Sequence, residues 1–149
     1  ADHETALIDP RFRTFKQYMT DLKLYQAKSV YIGSFTSQAG YELMKTAIAE
    51  LGYQLPQAFF VASDAMAVGA LRALQEAQIP VPGRVQLISF NGTAITKQVY
   101  PSLSSISVFT EEMGIQAVDL IDQMRQNTRP FHPRMIKLGT ELTIRESSL

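Results

Sequence analysis

The chain has 149 residues, 46% hydrophobic and 19% charged, a size and balance suited to one globular domain with a substantial core. Fourteen basic and fourteen acidic residues cancel, which leaves no electrostatic footprint for nucleic acid or an anionic membrane. Cysteine is absent, so disulfides, thiolate catalysis and cysteine metal sites are excluded, and no apolar run approaches the roughly 20 residues of a membrane helix.

Ala1 to Glu4 are polar and acidic, unlike a secretory signal, and a soluble, cytoplasmic module is expected. Asp9 and Pro10 open the first helix as N-cap and first helical residue. Phe12, Phe15, Met19 and Leu22 then recur at helical spacing. Residues 28–34 read as a short buried strand. Phe35, Thr36 and Ser37 turn the chain, with a hydroxyl to cap the next helix. That helix is lined by Ala39, Leu43, Ala47, Ile48 and Leu51, and Gly52 is suited to its C′ position. Residues 58–62 form the next strand, and a helix over 64–77 buries Ala67, Leu71 and Leu74. After the rigid stretch 79–83, residues 85–90 form a third strand that ends at Asn91-Gly92-Thr93. Residues 104–108 are a fourth strand. Thr110, Glu111 and Glu112 start a long helix and complement its dipole, with Met113, Ala117, Leu120, Ile121 and Met124 on one stripe. Pro130 and Pro133 interrupt the chain. Residues 135–138 and 140–145 read as two short strands hinged at Gly139.

Strands alternating with helices at this spacing specify an α/β fold, a doubly wound, parallel, three-layer α-β-α sheet. Such sheets hold ligands in the crevice beyond the strand ends. Ser63-Asp64 and Asn91-Gly92 stand there, each pair at a strand end and the first also at a helix start, where free N–H groups favour polar oxygens. Their bland readings are an N-cap and a turn pair. No phosphate loop, dinucleotide fingerprint or metal-protease helix is present. His3 and His132 stand away from any strand end with a nucleophile. Ser104-Ser105 lies inside a strand, and Glu111-Glu112 is explained by the helix dipole. No enzyme, cofactor or metal site is expected.

The run Ser63-Asp64-Ala65-Met66-Ala67-Val68-Gly69-Ala70-Leu71 with Gln75-Glu76, then Ile79-Pro80-Val81-Pro82, then Ile88-Ser89-Phe90-Asn91, resembles the LacI/GalR family of sugar-responsive repressors. Pro101-Ser102-Leu103-Ser104-Ser105-Ile106 is similar to its proline-leucine-threonine-threonine segment. Glu112-Met113-Gly114 with Ala117 matches the helix that follows, and Leu142-Thr143-Ile144-Arg145-Glu146-Ser147 matches its closing strand. The likeness runs over residues 9–148.

The resemblance implies one lobe of a bilobed, periplasmic-binding-protein-like fold with ligand between lobes. Residues 1–107 and 139–149 would form the carboxyl-terminal lobe. Residues 108–138 would pack with an amino-terminal lobe that is missing, as is the helix-turn-helix headpiece. The implied ligand is a sugar or glycoside, and operator DNA would be met only through the missing headpiece, with no membrane partner. Sugars need bidentate polar groups and an aromatic plate. On the family's pattern Arg11 would bond ligand hydroxyls, Phe35 would stack on the ring, and Ser63 and Asn91 would contact hydroxyls, with Asp64 beside them. Asn91 departs from the family's usual aspartate, which changes charge and donor pattern and so the preferred sugar. For Phe35 core packing is the competing reading, for Arg11 a solvated cation, for Asp64 completion of the helix cap. A homodimer is expected through Met66, Val68, Val99 and Tyr100, with packing inside the lobe as the alternative. The alternative function is half of a periplasmic sugar-binding protein of a transport system.

Overall fold

The computed structural model describes residues 9–126 and 132–149. Ala1 to Glu4, with His3, and Pro130 therefore lie outside the described residues. Eight principal elements follow one another: α1 (Pro10–Asp21), α2 (Ser37–Leu51), β1 (Ala58–Phe60), α3 (Asp64–Glu76), β2 (Gln86–Asn91), β3 (Ser104–Val108), α4 (Thr110–Gln126) and β4 (Thr140–Thr143). The sheet order is β1-β2-β3-β4. The first three strands are parallel and β4 runs antiparallel to β3. The α/β class is as expected, and β4 makes the sheet mixed rather than wholly parallel.

Local chemistry sets the element ends. Asp9 caps α1 by accepting from the Arg11 amide at 2.8 Å, with Pro10 next to it. Thr36 caps α2 through the Ala39 amide at 3.1 Å. Ser63 caps α3 through the Met66 amide at 3.3 Å. Gly52 ends α2 at φ +50°, where a side chain would be strained.

The core lies between α2, α3 and one face of the sheet. Leu74, Val85, Leu87 and Leu103 are fully buried, each worth about 1.5–3 kcal/mol relative to exposure. α2 and α3 cross so closely that a Cβ at Gly40 would stand 2.1 Å from the Met66 carbonyl oxygen, and one at Gly69 1.8 Å from that of Ser37. Small residues here are therefore a packing requirement. Because Ser37 touches α3, the crossing also fixes the turn that carries Phe35.

The carboxyl-terminal motif is a clip on β3. Ser147 accepts from the Ser104 amide at 2.9 Å and donates to the Leu87 carbonyl at 2.6 Å. Arg145 donates to the Leu103 carbonyl at 2.6 Å. Glu146 accepts from the Ser102 amide and hydroxyl, both at 2.8 Å, and the amide bond above all holds its carboxyl below the usual value.

Two expected strands are not formed. Residues 28–34 enter a 3-10 turn, Ala27–Ser29, and then run on without a ladder. Val30, Ile32, Phe59 and Val61 line a mostly apolar cavity of about 440 Å³, and the outer edge of β1 has no ladder partner among the described residues. Residues 135–138 likewise form no strand, and Met135 is 92% exposed. Strand character in sequence records alternation, whereas a strand also needs a neighbour's backbone within hydrogen-bond reach. α4 is helical as expected, but none of its residues is buried. Met113, Ile121 and Met124 of its apolar stripe are all more than half exposed.

Candidate functional site

A cleft of about 330 Å³ opens at the carboxyl ends of β1 and β2, lined by Arg11, Phe35, Ala62, Ser63, Asp64, Ala65, Asn91 and Thr93. All five residues picked out for ligand contact meet there, at one rim of the sheet.

Arg11 is held rigidly. Its Nε and Nη2 fork onto the Asp9 carboxylate, Nη2 at 2.6 Å from Oδ2, while Nη1 donates to the Ala62 carbonyl at 2.9 Å. The guanidinium lies 4.9 Å from the Phe90 ring centroid and 5.6 Å from that of Phe35, contacts worth about 0.5–1 kcal/mol at exposed sites. Among the described residues these bonds leave one hydrogen on each terminal nitrogen for a ligand. The hydrogen bond from the Arg11 side chain holds the Asp9 carboxyl below its ordinary value. Such a carboxylate stabilises the fold fully above the ordinary value, and that contribution is lost as pH falls through the lowered one. The Asp9 carboxylate thus stays ionised through neutral and mildly acidic conditions.

Phe35 is 49% exposed, which rules out core packing and leaves an aromatic face toward the cleft. Ser63 is 5% exposed and its hydroxyl oxygen is engaged as the cap of α3. Asp64, expected beside the ligand with a structural role at the helix start as its other reading, is bonded within the protein. It is 1% exposed, and its carboxylate accepts from Ser89 Oγ, Ser105 Oγ, the Thr93 amide and Thr93 Oγ at 2.5–2.7 Å. Every favourable acceptor position is filled from within the protein.

Asn91 ends β2, is exposed, and stands at φ 117°. A non-glycine residue there costs of the order of 1–3 kcal/mol and persists only where its surroundings enforce it. Asparagine tolerates the left-handed side better than most residues. Gly92 follows at φ +72°, where an added Cβ would lie 2.5 Å from Ser107 Oγ.

Phe90 and Asp9 belong to this site although sequence reasoning assigned them no ligand role. Asp9 was readable only as a cap, yet an acid two residues before an arginine at a helix start permits the fork seen here. Phe90 precedes the strand-end Asn91, and nothing local indicated that a cation from α1 would cover it. Of the expected dimer residues, Met66 is 8% exposed and lies in the α2–α3 crossing. Val68 and Val99 are half-buried against the core, while Tyr100 is 80% exposed. Ser104 and Ser105 hold the carboxyl-terminal clip and Asp64, so neither hydroxyl is poised as a nucleophile.

A family model described as a periplasmic binding protein-like domain matches residues 1–148. The HTH-type transcriptional regulator GalR of Streptococcus thermophilus is 46% identical over 147 residues, covering 99% of this chain and 44% of that protein. The HTH-type transcriptional repressor MelR of Bacillus subtilis is 44% identical over 123 residues, covering 82% and 34%. The chain thus spans less than half the length of these curated relatives. Among solved structures, the complex of the transcriptional regulator CelR with cellobiose superposes with a TM-score of 0.82 at 26% identity, over 93% of this chain and 42% of that one.

Proposed function

The chain belongs to the periplasmic binding protein-like domain family, within the effector-binding domains of LacI/GalR-type regulators, and on that premise we propose that it senses a pyranose sugar for transcription control. The observation that carries this reading is the convergence of Arg11, Phe35 and Asn91 on one cleft. A tethered guanidinium and a free amide suit vicinal hydroxyls, and a half-exposed ring suits the C–H face of a pyranose. The cellobiose held by CelR supports a carbohydrate as ligand class, and the regulator names of the relatives favour sensing over transport.

In this reading the cleft is one wall of a two-lobe site, and residues 108–138 serve the opposite lobe. Operator DNA is met by a headpiece beyond these residues, in keeping with their net charge of zero, and the protein acts in the cytoplasm without catalysing a reaction. Sugar shifts the relative orientation of the lobes through unequal affinity for two arrangements, with coupling typically of about 1–3 kcal/mol.

One wall binds weakly. Titration of isotope-labelled chain with cellobiose and methyl hexopyranosides is expected to saturate near millimolar, about −4 kcal/mol, moving the resonances of Arg11 Nε, Asn91 and Gly92. Asn91→Gly removes the amide while relieving the strained φ. It should weaken cellobiose about tenfold and leave the unfolding free energy unchanged or raised by up to about 1 kcal/mol. Affinity equal to the parent's in this variant, or shifts that cluster away from the cleft, would sink the assignment.

The exposed stripe of α4 and the surface around Val68, Val99 and Tyr100 are read as the lobe contact and the homodimer contact. Since no residue of α4 is buried and Tyr100 is 80% exposed, Ile121→Lys and Tyr100→Ala should each change stability by less than about 0.5 kcal/mol. Tyr100→Ala should also move sedimentation toward the monomer. A larger loss of stability, or unaltered sedimentation, counts against these surfaces.

A further inference from the structure

We propose that Asp64 is the positioning residue of the cleft, holding the turn that presents the Asn91 amide to ligand; this rests on the sugar-sensing reading. Its four donors come from three places: Ser89 on β2, Ser105 on β3, and Thr93 in the turn after β2. Asn91 stands between Ser89 and Thr93, so one carboxylate grips the chain two residues before it and two residues after it. A further strand of the network runs from the Gly92 amide to Ser105 Oγ at 3.1 Å, and Ser105 itself donates to Asp64. Ser89, Gly92 and Thr93 are thereby tied, directly or through one hydroxyl, to a group 1% exposed, while Phe90 and Asn91 are held by the ladder with β3.

That arrangement accounts for the unusual backbone at Asn91. A residue at φ 117° relaxes unless both flanks are fixed, and Asp64 fixes both. Among the described residues the Asn91 amide makes no side-chain hydrogen bond, so its aim depends on the backbone beneath it. The site also demands this residue type: it must accept from four donors and donate to none. Asparagine is nearly isosteric, yet its amino group would face two of those donors. With no acceptor position left, Asp64 acts through Asn91 and never on the ligand.

The test is a cycle of Asp64→Asn, Asn91→Gly and the double variant, made in this chain and followed by NMR. Three signals are read: the Asn91 HN–Hα coupling, exchange protection of the Gly92 and Thr93 amides, and the cellobiose dissociation constant. Asp64→Asn is expected to shift the coupling toward a conformational average, speed Thr93 exchange at least tenfold, and weaken cellobiose about tenfold. In the Asn91→Gly background the same change should cost no further affinity. Thr93→Val removes one donor and keeps the fold if Asp64→Asn fails to fold, and it should give the same changes in smaller measure. An unchanged Asn91 coupling with only a lower unfolding midpoint would reduce Asp64 to a structural role and overturn the proposal, as would affinity losses that add independently. Should the parent chain bind no cellobiose or other pyranoside, the sugar reading fails, while the coupling and exchange signals still decide whether Asp64 sets Asn91.

Discussion

Gly69→Ala should lower the unfolding free energy by about 3 kcal/mol or more, read as a fall in the urea midpoint at unchanged slope. Two effects of opposite sign compete at this position. Alanine is the better helix former by about 1 kcal/mol, which alone predicts stabilisation. Against it, the new Cβ would stand 1.8 Å from the Ser37 carbonyl oxygen and 2.7 Å from the Tyr41 amide nitrogen. Both are backbone atoms and cannot rotate aside, so α2 and α3 must separate. Separation opens gaps around Ala47, Ala70 and Leu74, which are all buried at the crossing or beneath it, and dispersion is lost across each gap. The clash wins. Gly114 in α4 supplies the control, because nothing lies within 4 Å of an added Cβ there. Gly114→Ala should be neutral or stabilising by under about 1 kcal/mol. If the two substitutions have similar effects, the crossing is not the tight contact described. The consequence reaches the cleft, since Ser37 moves with Thr36 and Phe35 and the aromatic plate would leave its place beside Arg11.

The parts legible from sequence are those decided within a few residues. A cap is a side chain and an amide two or three positions apart, so Ser63 and a hydroxyl of the turn at 35–37 could be read directly, as could Asp9-Pro10. β3 was legible because β2, the strand before it in the chain, is also its neighbour in the sheet. Residues 28–34 and 135–138 carry the same alternation, but whether another backbone comes within reach is a property of the whole chain. Asp64 shows the same limit in side-chain chemistry. Its place at a strand end and helix start identifies a polar position near a cleft. Only the folded register, with Ser89 beside Ser105 and Thr93 two residues beyond Asn91, reveals that its oxygens are filled from below. The likeness in sequence carried Arg11, Phe35 and Asn91 to one rim, yet it held no sign that Phe90 and Asp9 fix the arginine.

Arg11→Ala should remove cellobiose-induced shifts from the NMR titration altogether. Hydrogen bonds to a charged group contribute about 1.5–3 kcal/mol each, so losing both of those open to Arg11, about 3 kcal/mol or more, takes a millimolar complex at about −4 kcal/mol below detection. Arg11→Lys separates charge from shape. Lysine keeps the positive charge but not the planar fork onto Asp9, the reach to the Ala62 carbonyl, or the flat surface between Phe35 and Phe90. An ammonium on a flexible stem must also be ordered when ligand arrives, whereas the guanidinium is fixed beforehand by Asp9, Ala62 and two rings. The lysine variant is therefore expected to lose at least tenfold in affinity, with stability within about 1 kcal/mol of the parent because the ion pair with Asp9 is partly exposed. Affinity equal to the parent's would mean that a positive charge alone serves the cleft, and that the tethering by Asp9, Ala62 and the two rings has no part in recognition.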